Sequence, residues 1–193
     1  MSPAKNIAEF LFCLNTLEEK TFELYNQLSQ KAENPLAKSS FSTIAKESLM
    51  HSSMLKQASQ RFSDVQLEEK DCKKGLGEIW KYVTDLLKST KNKKSFTPEE
   101  LLKLSKNLAI IESSLVEEYS MMIKLKTLQY MSKEISASYN MDMDEIKNVL
   151  ESIITDEESH QRILNELTET LTQNKDKASK TSILKFPTTI NSK

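Results

Sequence analysis

The chain has 193 residues, enough for one sizeable core, and one domain is the default expectation. Hydrophobic residues make up 38% and charged residues 28%, with 27 basic against 28 acidic side chains and a net charge of -1, so nothing calls for nucleic acid or a membrane surface as partner. Only two glycines and four prolines occur, too few for the tight turns of a sandwich or barrel, and the composition points to long helices.

In chain order, the first predicted helix runs roughly from Pro3 to Lys31, with an a/d seam of Ile7, Leu11, Leu14, Glu18, Thr21, Tyr25 and Leu28. Asn34-Pro35 supplies a break, with Asn34 as cap and Pro35 at the first helical position of a second helix that reaches about Phe62. Its seam is Ala37, Phe41, Ile44, Ser48, His51, Leu55, Ala58 and Phe62. The link between the two helices is so short that they should be antiparallel neighbours.

Residues 63–96 are charged and polar, with a short amphipathic helix expected around Ile79, Val83 and Leu86 and with Trp80 and Tyr82 packing it onto the rest. "TPEE" then opens a third long helix, with Thr97 as cap, Pro98 first and Glu100 closing a capping box. This helix carries Leu101, Leu108, Glu112, Leu115, Tyr119 and Met122 and is expected to end near Lys133. After a break at "SASYNMDMDE", Asp142 and Glu145 form another capping box for a fourth helix to about Thr172. Its seam, Ile146, Leu150, Ile153, Glu157, His160, Leu164, Leu167 and Leu171, advances in alternating steps of 4 and 3.

The expected organisation is therefore a single all-α domain over residues 1–173, with a crossover at about 63–96, and a polar tail over 174–193. Short, long and short links let the second and third long helices run parallel, the one-crossover arrangement of a four-helix bundle. Cys13 and Cys72 are far apart in sequence and form no CxxC pair. They read as unpaired thiols in a reducing, cytoplasmic setting. The N-terminus shows no basic patch followed by a continuous apolar run, so no signal peptide and no membrane span is expected.

The halves of the chain repeat. "LNTLEEKTFELY" at 14–25 lies over "LAIIESSLVEEY" at 108–119, and "FSTIAKESLMHSSML" at 41–55 lies over "LESIITDEESHQRIL" at 150–164. Glu18 then matches Glu112, Tyr25 matches Tyr119 and His51 matches His160, whereas Glu157 falls on Ser48. Helix heights measured from the short links bring Glu18, His51, Glu112, Glu157 and His160 to one layer. Buried unpaired carboxylates cost several kcal/mol each, and a bound dication removes both that cost and their mutual repulsion. Carboxylate with imidazole suits iron or manganese. Each tyrosine lies seven residues, about two turns, beyond its glutamate, where a phenol reaches a group near the carboxylate of a neighbouring helix.

With these residues the chain resembles the ferritin-like superfamily, and within it the rubrerythrin-type di-iron domain, over roughly residues 5–172. In that family two helices each give a glutamate seven residues ahead of a tyrosine, as Glu18/Tyr25 and Glu112/Tyr119 do, and the fourth gives "DEExH", as Asp156 to His160 do. The resemblance implies Glu157 as a bridging ligand and Glu18, His51, Glu112 and His160 as the other ligands of two iron ions, with one ion or manganese as alternatives. The second helix departs from the family pattern: "IAKESLMH" has Ser48 where the bridging glutamate belongs, with Glu47 adjacent and about 100° round the helix, either swinging in or facing solvent; Glu47, Ser48, Tyr25 and Tyr119 are candidates for additional contacts around the ligands. The family's additional third-helix carboxylate falls on Leu115, and no rubredoxin-type cysteine pairs are present. Activity toward peroxide or dioxygen with a separate electron donor is implied. A non-catalytic bundle with a degenerate or single-metal site is the other reading. A homodimer is implied too, with Leu102, Leu104, Ile123 and Leu125 as an off-seam strip to be covered.

Overall fold

A computed structural model describes residues 3–61, 68–124 and 143–183. Among these the chain is all-α, with α1 (Pro3–Lys31), α2 (Pro35–Gln60), α3 (Glu69–Gly75), α4 (Gly77–Lys91), α5 (Pro98–Lys124) and α6 (Met143–Ile183), and no strand. No helix among the described residues is long and apolar enough to cross a membrane.

The termini follow their local chemistry. Asn34 accepts a hydrogen bond from the Ala37 amide at 3.0 Å, capping α2 ahead of Pro35. Thr97 and Glu100 exchange reciprocal side chain–backbone bonds at 3.2 and 3.0 Å, the capping box of α5. Gly77 turns the chain between α3 and α4 at φ 53°, a left-handed conformation that a side chain would strain. The box expected at Asp142, the end of α5 beyond Lys124, and Phe62 and Leu125 lie outside the described residues.

Every described seam residue is buried, from Ile7 to Leu28 on α1, Ala37 to Ala58 on α2, Leu101 to Tyr119 on α5 and Ile146 to Leu171 on α6. The contacts run as ladders. Asn15 meets Ser52, and Tyr25 meets Phe41, so numbers rise along α1 as they fall along α2. Between α2 and α6, Arg61 grips Glu145 through two bonds of 2.5 and 2.6 Å, His51 meets Asp156 and Glu47 meets His160. Between α5 and α6, Glu112 meets His160, Ser105 meets Thr168 and Glu99 meets Lys175.

Three expectations need correction. Cys13 and Cys72 are joined in a disulfide, Cα–Cα 4.9 Å, because the crossover folds back along α1, where Lys20 also pairs with Glu69 at 2.8 Å. Fifty-nine residues of separation say nothing about distance once the chain doubles back, and the case for a reducing setting built on unpaired thiols falls with them. Trp80 is buried under the Lys20 ammonium, but Tyr82, two residues on, points to solvent at 43% exposure. Finally, α6 does not stop near Thr172 but runs to Ile183, since no glycine or proline interrupts it.

Candidate metal centre

Four helices each deliver part of one buried layer. Glu18 comes from α1, Ser48 and His51 from α2, Glu112 from α5, and Glu157 and His160 from α6, all at 0–1% exposure. Two triads result: Glu18, His51 and Glu157, and Glu112, Glu157 and His160. Each residue in a triad offers one ligand atom, and these lie within 4.8 Å of one another. Glu157 belongs to both. Its Oε1 lies 3.1 Å from His51 Nδ1 and its Oε2 lies 3.3 Å from His160 Nδ1. Glu112 Oε2 is 3.3 Å from His160 Nδ1, and Glu18 Oε2 is 3.8 Å from His51 Nδ1.

An outer ring fixes these groups. Tyr25 donates its hydroxyl to Glu112 and Tyr119 donates to Glu18, each across from α1 to α5 or back. His51 turns Nε2 outward to Asp156 at 3.1 Å, and His160 turns Nε2 outward to Glu47 at 2.8 Å. Both imidazoles thereby present Nδ1 inward. Glu47, for which the sequence leaves both an inward and a solvent-facing placement open, is half-exposed and reaches the site from its edge. Ser48 stands where the repeat would place a fourth carboxylate and carries none. Sequence reasoning gave Asp156 no role, although its place opposite His51 follows from the antiparallel register of α2 and α6.

Several inward atoms are left without hydrogen bonds: Glu18 Oε2, Glu157 Oε1, His51 Nδ1, Ser48 Oγ and Thr21 Oγ1. His51 Nδ1 and Glu157 Oε1 are close but not aligned for a hydrogen bond. Buried polar atoms are seldom left so, and three of these five belong to the three residues of one triad. Carboxylate and imidazole donors around a common point fit a divalent transition metal.

The electrostatics agree. Burial works against protonation of both imidazoles, but Glu157 and Glu18 overcome it and hold His51 at about 10, while Glu112 and Glu157 hold His160 at about 11. Burial, reinforced by the Glu157 charge, raises Glu112 to about 8. For Glu157, burial and Glu18 push upward, yet its contacts with Glu112, His160 and His51 leave it below its ordinary value. Burial and the carboxylates keep both phenols protonated well above the usual range. At neutral pH the layer without metal holds two imidazolium ions and a protonated Glu112, so protons occupy the places a dication would take.

No protein-family model, curated protein or solved structure matches the chain.

Proposed function

We propose that this chain is a ferritin-like protein of the rubrerythrin type, a four-helix bundle with one crossover that binds iron, two ions in its full form, and reacts with peroxide or dioxygen. The fold part of this reading is supported by the ladders: α1 runs antiparallel to α2, and the two tyrosine–glutamate bonds make it antiparallel to α5 as well. That requires α2 and α5 to be parallel, which a long crossover permits.

The observation that carries the metal reading is Glu157. Its two oxygens face two histidines from opposite sides, each completed by its own glutamate. Glu157 would bridge, Glu18 with His51 would hold one ion, and Glu112 with His160 the other. A reduced iron pair supplies electrons for cleaving an O–O bond. The residues do the rest. Tyr119 and Tyr25 keep the terminal carboxylates from swinging. Asp156 and Glu47 accept from the outer imidazole nitrogens, which leaves the Nδ1 lone pairs facing inward once the inner protons are lost. The surrounding leucines exclude water and sharpen each electrostatic contact. A separate electron donor and a homodimer are part of the proposal. Leu102, Leu104 and Ile123 pack half-buried against the core, and Ile110 and Met121 stand more exposed on the same helix.

A second reading, a non-catalytic bundle with one ion or none, is favoured by Ser48 and by the protons that neutralise the layer without metal. Metal analysis of the purified chain, with an optical spectrum after ferrous ion and then peroxide, decides between them. Iron uptake with a peroxide-dependent charge-transfer band supports the first reading, and uptake without spectral change supports the second.

A further inference from the structure

Among the described residues, two buried hydroxyls have no hydrogen-bond partner, and both lie in the layer. A buried serine or threonine on a helix ordinarily bonds back to the carbonyl one turn earlier. Buried Thr16 and half-buried Thr168 do so to Phe12 and Leu164, at 2.9 and 2.8 Å. Ser48 and Thr21 do not: at 1% and 2% exposure their hydroxyls have no partner at all. They also share a level. Glu18 on α1 faces His51 on α2, and one further turn along α1, matched by one turn back along α2, sets Thr21 opposite Ser48. Ser48 is one turn from His51 of the first triad and next in sequence to Glu47, the partner of His160.

We propose that Ser48 and Thr21 form the donor side of a site for one small monoanionic oxyanion of the formate class, taken up with the metal ions. The inference rests on the metal-binding reading above. Two divalent cations bring four positive charges, and the fully buried Glu18, Glu112 and Glu157 return three; Asp156 and Glu47 add two more at the rim, about a third exposed, where water screens them, so inside the layer itself one positive charge stays unbalanced. A buried net charge is costly, and neither imidazole nor hydroxyl cancels it. A monoanion does, and an oxyanion accepts from both orphan hydroxyls at the place where the internal repeat lacks a carboxylate side chain. The anion thus stands in for the side chain that residue 48 does not provide.

Cobalt(II), whose visible spectrum reports its ligands, is the probe. The full chain is loaded with cobalt(II), uptake is measured by equilibrium dialysis, and formate is titrated while the spectrum and heat are followed. A saturable spectral change is expected. Ser48→Ala should weaken formate binding by about tenfold through loss of one hydrogen bond to a charged group. Ser48→Glu, which carries its own carboxylate, should bind cobalt and show no formate response. Cobalt uptake without any formate response overturns the anion site and leaves the metal reading standing. Absence of cobalt uptake overturns both. A formate response of equal strength in the parent chain and both variants places the anion elsewhere and overturns the proposal.

Discussion

Tyr25 on α1 donates its buried hydroxyl to Glu112 on α5, 87 residues away, and Tyr119 on α5 returns the bond to Glu18 on α1. The two bonds are one relationship repeated through the internal repeat. Removing either donor strands a buried carboxyl oxygen. Tyr25→Phe and Tyr119→Phe should each lower the unfolding free energy by about 1–3 kcal/mol, measured by urea denaturation of the metal-free chain. Equal stability to the parent in both variants would show that neither bond orders the layer.

The outer carboxylates should govern metal affinity. Glu47→Ala and Asp156→Ala each free one imidazole from its orienting partner. Loss of such a partner typically weakens metal binding by about 10–100-fold. Competition titration with a chelating dye measures it. If Glu47→Ala binds as tightly as the parent, the Glu47–His160 contact has no orienting role.

The Cys13–Cys72 bond closes a long loop between α1 and the crossover. Chain-entropy arguments give such a loop about 4 kcal/mol. The double variant Cys13→Ser, Cys72→Ser should therefore melt well below the parent under non-reducing conditions. Calorimetry that finds the two alike would show that helix packing alone holds the crossover.

Metal uptake should release protons. His51 at about 10, His160 at about 11 and Glu112 at about 8 all hold a proton at pH 7 that a cation must displace. Affinity should rise with pH through the neutral range, and an indicator dye in weak buffer should report acidification on ferrous addition. Without metal the sign reverses. Raised histidine values stabilise the fold fully below the unfolded value near 6.5, a gain lost as pH climbs through 10 and 11. Glu112, also raised, loses stabilisation from about 4.5 to 8, while the depressed Glu157 contributes above its ordinary value and loses that as pH falls. The metal-free chain should thus be most stable in mildly acidic solution. A metal-free stability that rises from pH 6.5 to 10 would contradict these protonation states.

Helix positions were legible because the seams advance by 4 and 3 and because caps such as Asn34 and Thr97 have local chemistry. That Glu18, His51, Glu112, Glu157 and His160 meet follows from the same seams plus antiparallel register. What the sequence leaves open depends on contacts between helix edges. Glu47 lies about 100° from the seam, where the pattern allows it to swing in or to face solvent, and its side chain is long enough to reach His160 at 2.8 Å from there. The disulfide was hidden because the path of the crossover back along α1 has no periodic signature. The run of α6 to Ile183 was missed because polar sequence was read as tail, although no glycine or proline interrupts the helix there.

Ser48→Glu separates the two functional readings by sign. With metal, the added carboxylate should tighten binding. Without metal, it places one more charge in a buried layer and should lower stability by a few kcal/mol.

The most direct test is the melting temperature of the parent chain and of Ser48→Glu, with and without anaerobic ferrous ion. At about a hundred times the dissociation constant, a ligand specific for the folded state adds about 2.7 kcal/mol, or roughly 5–11 °C for a chain of this length. A rise of that order in the parent and a larger one in Ser48→Glu is the predicted result. No rise in either protein would contradict the metal centre and leave the buried glutamates and histidines as a structural, proton-neutralised layer.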